Sequence, residues 1–211
     1  MLILPSLYWG STEYYAHIIE YGEDNCILDV HEHFIKRSER NRTVLMTANG
    51  VLPISVHLKK ANRMQVPIGE MEIDYSERWA MEQLTAIRSA YHTSAYYDTL
   101  ENDIRDIILS KERDLLSLNR RTFRFSAEWL GIDYTKIRES DAYVHCGTDD
   151  LDLRPKGALG HETMAEYFQL FSDRFPFTKN LSILDLLMSE GNESRHILQR
   201  SISGFCGHSR L

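Results

Sequence analysis

The run Asp29 to Gly50, DVHEHFIKRSERNRTVLMTANG, holds most of the side chains in this chain that could do chemistry together. Arg37, Arg40 and Arg42 fall within six positions, with Lys36 beside them and Asn41 between them. A guanidinium offers a planar fork of N–H donors that matches a phosphate or a carboxylate, so three of them leaving one strand end could hold an anion that Asn41 orients. The same residues could instead form a solvated loop whose cations pair with Glu32 and Glu39. His31 and His33 form an H-x-H pair. On a strand both rings point to one face, with Asp29 in phase. Such a pair can supply two ligands to zinc or iron if a third arrives, one ring can carry a proton, or both can be ordinary polar residues. We assign His31 and His33 as the candidate catalytic groups and no residue as a metal ligand.

A second candidate surface is PSLYWGSTEYY, from Pro5 to Tyr15. Read functionally, a helix N-terminus faces an anion while Tyr8 or Trp9 stacks on a ring, with Pro5 and Tyr14 at the rim; read structurally, the aromatics are packing. Asp185 belongs to Ser182-Ile183-Leu184-Asp185, whose S-x-x-D form predicts a helix cap rather than an acid catalyst. Cys26, beside Ile27 and Leu28, reads as core, and no His or Asp context marks Cys146 or Cys206 as a nucleophile. The phosphate-loop, dinucleotide, zinc-protease and hydrolase motifs are absent, so no motif names a cofactor.

The elements that must position these groups follow from periodicity. Residues 1 to 4 form an apolar strand stopped at Pro5, Glu13 to Tyr21 a helix ended by Gly22, and Asn25 to Val30 a second strand. That βαβ order would bring the Pro5 loop and the basic block to one carboxyl edge of a sheet. Asn49-Gly50 predicts a type I′ hairpin pairing Val44–Thr47 with Val51–Val56, with Leu52, Ile54 and Val56 facing the core and Pro53 marking an edge. Met71 to Asp74 could add a strand beyond the polar loop Lys59 to Gly69. From Ser76, a candidate N-cap, three helices follow: Trp79 to Tyr91; one with the stripe Tyr97, Leu100, Ile104, Ile107 and Ile108; and one from Leu115 to Trp129 closed by Gly131. Residues 133 to 160 read as irregular, with a short strand at Tyr143 to Cys146. Met164, Tyr167, Phe168 and Phe171 mark an amphipathic helix capped by Thr163, and a short helix after Ser182 stops at Gly191.

Composition bounds the function. With 211 residues, 43% of them hydrophobic, the chain suits one compact domain. A formal charge of -7 opposes bulk attraction to nucleic acid or anionic lipid, so any anion site is local. The first residues lack a basic leader, no segment approaches a membrane span, and three widely spaced cysteines without a CxxC pair suit reduced thiols in the cytoplasm.

The block Lys36, Arg37, Arg40, Asn41, Arg42 followed by Asn49-Gly50 resembles the signature of the WbqC-like proteins. So do Pro5, Tyr8, Glu13, Tyr14 and Tyr15 near the start, the Tyr167-Phe168-Gln169-x-Phe171 stretch, and NLSILDLLMSEG from Asn180 to Gly191. His31 and His33 depart from that pattern. The resemblance implies a bacterial protein of surface-polysaccharide (O-antigen type) gene clusters. Together these readings predict an α/β fold in which a small mixed sheet, a βαβ start plus a β-hairpin, is packed with several helices and the C-terminal half is helical. The expected activity is transferase-like, on an anionic, nucleotide-linked sugar. The alternative is a non-catalytic glycan- or protein-binding module of the same pathway.

Overall fold

The computed structural model describes residues 1–60 and 65–202. Cys206 and the middle of the Lys59–Gly69 loop lie outside those residues. The βαβ start is present. Strand β1 (Leu2–Leu4), helix α1 (Thr12–Tyr21) and strand β2 (Cys26–Leu28) follow in order, and the strands pair in parallel, Leu2 opposite Cys26 and Leu4 opposite Leu28. β1 is wholly buried, as expected of a parallel strand covered on both faces. Helix α1 is buried from Thr12 to Ile18 against β1 and two later helices.

Strands β3 (Arg42–Thr47) and β4 (Gly50–Ser55) form the hairpin as a separate two-stranded sheet. Its turn differs in detail from the expectation. Ala48 and Asn49 are the central residues, and of the pair Asn49-Gly50 only Gly50, at φ 98°, takes the positive φ. The turn is therefore not type I′. Ile54 and Val56 are buried as expected, but Leu52 is exposed: near the turn the outer strand β4 is uncovered, while the paired Leu45 on β3 is buried.

Two more strands, β5 (Arg138–Glu139) and β6 (Leu151–Asp152), complete a parallel sheet of order β5-β2-β1-β6. Each is two residues long, too short to leave a period, which is why residues 133 to 160 read as irregular. Tyr143 to Cys146 forms no strand, and Met71 to Asp74 contributes only isolated bridges, Ile73 to Leu58 and Glu72 to Asp114.

Helices α2 (Trp79–Tyr91), α3 (Tyr97–Ile108) and α4 (Leu115–Trp129) follow, and every residue of the α3 stripe is buried. Ser76 does not cap α2; its amide donates instead to Asp74 Oδ1 at 2.9 Å, forming a turn that delays the helix to Trp79. Helix α5 (Ile183–Glu190) has Ser182 at its N-cap, with the Leu184 amide donating to Ser182 Oγ, and α6 (Ser194–Ile202) closes over α1. The helix expected at Met164–Phe171 does not form. That segment runs extended because its polar and aromatic side chains find tertiary partners: Tyr167 Oη donates to Asp185, and Gln169 exchanges hydrogen bonds with Thr178. Gly191 turns the chain between α5 and α6 at φ 51°, where a Cβ would collide with the ring of Tyr96. Gly191→Ala is therefore expected to cost about 3 kcal/mol in a urea titration, combining left-handed backbone strain with overpacking.

Among the described residues, no helix is long and apolar enough to cross a membrane.

Candidate functional site

In the parallel sheet the chain moves from β1 to β2 on one side, while β6 arrives on the other side of β1. The strand order thus reverses about β1. Loops leaving the carboxyl ends of β1 and β6 diverge there and open a crevice, the usual ligand position in open α/β sheets. A cleft of about 330 Å³ occupies this place. Pro5, Leu7 and Ser11 of the β1 loop form one wall, Arg37 to Arg40 of the β2 loop another, and Leu153 to Leu159 of the β6 loop a third. Arg42 to Val44, Asn180 and Ser182 close it.

Backbone bonds fix these walls. The Tyr8 amide donates to Glu39 O at 3.0 Å, the Ile183 amide to Gly10 O at 2.9 Å, and the Ser182 amide to Val44 O at 2.9 Å. Glu13 braces the third wall: its carboxylate, 1% exposed, accepts the Gly160 amide at 2.7 Å. Beneath the cleft runs a buried ionic network. Asp29 and Glu32 turn inward from the segment after β2. Glu32 accepts the Ser6 amide at 2.7 Å and the Arg40 Nε at 3.1 Å, with Arg40 Nη2 also in contact. Asp29 meets Arg154 Nη1 and accepts from Ser140 Oγ at 3.1 Å, while Arg154 also grips Asp152 through Nε at 2.9 Å and Nη2 at 2.7 Å. Arg40 Nη2 donates to Arg154 O at 3.0 Å, tying the β2 loop to the β6 loop. Burial pushes the Glu32 carboxyl above its usual range, and the Arg40 guanidinium pulls against that.

The cations therefore divide by role. Arg37, Arg40, Arg42, Arg154 and Lys156 all line the cleft, but Arg154 has every guanidinium nitrogen committed and Arg40 has two of three. Arg37, Arg42 and Lys156 have no ion pair among the described residues and face the cleft with a single acid, Glu39. Arg37 sits at φ 57°, in the left-handed region, and its side chain is exposed. Burial also raises the Glu39 carboxyl above its usual range. The Ser11 hydroxyl beside it favours the charged form, yet Glu39 Oε2 and Ser11 Oγ are both buried without a hydrogen bond of good geometry among the described residues, and both residues line the cleft.

Beside the cleft lies a wider groove of about 750 Å³. Phe34, Leu58, Val66 and Met71 give it an apolar lining, and Lys36 and Lys60 add charge at its margin. Arg37 and Arg42 line both cavities.

Pro5, Arg37, Arg40 and Arg42 thus share one concave surface, and Lys36 and Asn41 belong to the groove. Asn41 is partly engaged elsewhere, its Nδ2 donating to Val56 O at 3.0 Å, which anchors the hairpin. Tyr8 and Tyr14 line neither cavity. Both are buried, Tyr8 Oη donating to Gln83 Oε1 at 2.7 Å and Tyr14 Oη to Pro5 O at 3.0 Å, so they stiffen the Pro5 loop from beneath. Trp9 is buried edge-on against Phe125, at 5.6 Å between centroids. Packing claims these rings because an aromatic buried on all sides gains more than one left at a rim. His31 and His33 are not on a strand and line neither cavity. The strand ends at Leu28, and the following turn sends Asp29 and Glu32 inward and both histidines out, with His33 stacked near Tyr143 at 6.0 Å. Among the described residues no cluster of three His, Cys, Asp or Glu side chains could hold a metal ion. Cys26 is core: its thiol contacts Gly22 O at 3.3 Å and is pushed up to about 12 by burial. Sequence reasoning missed Arg154, Lys156 and Ser11. Only the D-x-R spacing of Asp152 and Arg154 could have drawn attention to one of them.

The sequence profile of the WbqC-like protein family matches residues 11–164, which carry the basic block and the β6 loop. The chain belongs to the WbqC-like protein family. In this WbqC-like chain Pro5 and Tyr8, the Tyr167–Phe171 stretch and the Asn180–Gly191 block, all expected to resemble the family, lie outside the matched segment. The uncharacterized protein Rv1507c of Mycobacterium tuberculosis (strain ATCC 25618 / H37Rv) is 28% identical over 130 residues, or 61% of the WbqC-like chain and 55% of the relative. The chain thus spans little more than half the length of that relative. No solved structure matches it.

Proposed function

We propose that this WbqC-like protein binds an activated sugar through its phosphate groups in the cleft at the β1–β6 switch point and acts on it in bacterial surface-polysaccharide biosynthesis. The observation that carries this reading is the convergence of Arg37, Arg42 and Lys156, unpaired among the described residues, on a chain of formal charge -7. Like charges converge in a folded protein against their mutual repulsion, and a bound polyanion is what offsets it. Membership of the WbqC-like family suggests the polysaccharide setting. Transfer or hydrolysis also needs a group that exchanges a proton. Glu39, with its raised carboxyl, lines the cleft, whereas His31 and His33 stand outside it.

A thermal-shift screen with sulfate, pyrophosphate and nucleotide sugars tests the binding. A true ligand at 100 times its dissociation constant adds about 2.7 kcal/mol, a clear rise in melting temperature. Arg37→Ala with Arg42→Ala is expected to weaken that ligand at least about tenfold per arginine, with stability changed by less than about 0.5 kcal/mol, since neither residue supports the fold. Unchanged affinity in the double variant would sink the anion site.

A non-catalytic binding module is the second reading, favoured by the position of the two histidines away from the cleft. It requires that the wild type bind a nucleotide sugar without turning it over, while the enzyme reading requires turnover that falls in Glu39→Gln with binding retained.

A further inference from the structure

The cleft and the groove meet at Arg37 and Arg42, which line both, and the two cavities differ in chemistry on either side of those arginines. In the cleft Ser11, 4% exposed, has its buried Oγ beside the Glu39 carboxyl and without a hydrogen bond of good geometry among the described residues, and Asn180 and Ser182 line the cleft with it. Ser11 sits at the N-cap position of α1, yet its side chain caps nothing. One of the amides that would use it is taken by the opposite wall, Glu13 N donating to Asn180 Oδ1 at 3.3 Å, and the Thr12 amide beside it donates to Leu181 O at 3.0 Å. A buried hydroxyl without a partner costs stability and persists where it meets a polar ligand group. The groove is more than twice as large and mainly apolar, with Phe34 and Leu58 along it. Asn41 lines this groove too. Its amide orientation is fixed, because Nδ2 must face the Val56 carbonyl, and that leaves Oδ1 as a buried acceptor without a donor.

Resting on the reading that the basic cleft holds phosphates, we infer that cleft and groove are two subsites of one ligand. A diphosphate lies across Arg37 and Arg42, its glycosyl group enters the cleft against Ser11, and its nucleoside lies in the groove over Phe34 and Leu58. The groups placed on each side set this direction, Ser11 and Glu39 in the cleft and Phe34, Leu58 and Asn41 in the groove. A sugar presents hydroxyls that can both donate to and accept from the Ser11 Oγ, which suits the cleft. A nucleobase presents an apolar face for Phe34 and ring or exocyclic N–H donors for the Asn41 Oδ1. A prenyl diphosphate carries the same anion but has no donor for Asn41, so the groove chemistry favours the nucleoside. Ser11 is then the residue that senses the sugar, and Arg37 with Arg42 holds what all such ligands share.

Isothermal titration of the full chain tests this with inorganic pyrophosphate, the nucleoside diphosphates of uracil, cytosine, guanine, adenine and thymine, their hexose conjugates, and geranyl diphosphate. The best nucleoside diphosphate is expected to bind at least about tenfold more tightly than pyrophosphate, and its best sugar conjugate more tightly again. Leu58→Asn should erase the first increment while leaving pyrophosphate affinity unchanged. Ser11→Ala should erase the second and no other, with the melting temperature little changed, since the Glu39 carboxyl is the one polar group of the protein that the Ser11 hydroxyl is seen to meet among the described residues. Geranyl diphosphate binding more tightly than every nucleoside diphosphate, no gain from any nucleoside, or a Ser11→Ala loss shared by pyrophosphate would each overturn the subsite assignment. If the wild type fails to bind pyrophosphate and every nucleotide, the anion site itself has failed.

Discussion

Arg40→Ala is expected to lower the free energy of unfolding by about 3–5 kcal/mol, although the residue belongs to a basic, loop-borne block, because truncating one partner leaves the other charge buried and alone. Glu32 is 1% exposed and Arg40 3% exposed, and among the described residues the Arg40 guanidinium is the one cation in an ion pair with that carboxylate. The direction of the pH dependence follows. Without Arg40 the buried Glu32 carboxyl rises further, so the folded variant takes up a proton that the unfolded chain has released. The penalty is then small at pH 5 and grows as pH rises toward 8, and paired urea titrations at the two pH values should show it. Adding Glu32→Gln to Arg40→Ala should recover part of the loss at pH 8 and abolish its pH dependence. The cleft should suffer as well, because the Arg40 side chain also donates to Arg154 O at 3.0 Å, joining the β2 loop to the β6 loop. Arg37→Ala, by contrast, should leave stability untouched. Three neighbouring arginines thus separate into one that holds the fold together and two available to a ligand.

That separation was invisible in the sequence, and the reason is physical. Periodicity reports burial along regular elements, so β1, α1, β2 and the α3 stripe could be read directly from the apolar spacing. Side-chain direction in a loop depends on turn geometry, which carries no period. The H-x-H pair illustrates this: strand alternation would place His31, His33 and Asp29 on one face, but β2 stops at Leu28 and the turn buries Asp29 and Glu32 while exposing both histidines. The hairpin was legible through Asn49-Gly50, although its turn is built on Ala48-Asn49 and Leu52 escapes the core. The aromatic segment Met164–Phe171 has helical spacing yet stays extended, since Tyr167 and Gln169 gain more from partners on α5 and at Thr178 than from a helix of their own. Strands β5 and β6 are too short to mark the sequence, and with them went Arg154 and Lys156, the contribution of the fourth strand to the cleft.

Asp185 departs furthest from its sequence reading, and it gives the other large effect. The S-x-x-D pattern predicts a cap, but Ser182 alone accepts a first-turn amide with its side chain. Asp185 is 1% exposed and accepts hydrogen bonds from Tyr91 Oη at 2.9 Å and Tyr167 Oη at 2.8 Å, with no ion pair among the described residues. Burial pushes its carboxyl up to about 6, the two phenols holding it down only in part. Because the folded pKa lies above the unfolded one, the folded state binds the extra proton. Its contribution to stability is whole below pH 4 and is lost as pH climbs through 6, a swing of about 3 kcal/mol from the shift alone. Asp185→Asn should remove that swing while retaining a carbonyl acceptor for one phenol and an amide donor for the other. Difference curves between the wild type and this variant cancel the contribution of Glu32, which titrates in both. The variant should match or exceed the wild type at pH 8 and lose that advantage below pH 5. A wild type more stable than Asp185→Asn at pH 8 would mean that the two phenol hydrogen bonds to the ionised carboxylate outweigh its desolvation. The carboxylate would then be a strong clasp between α2, α5 and the 160s segment rather than a buried charge tolerated there.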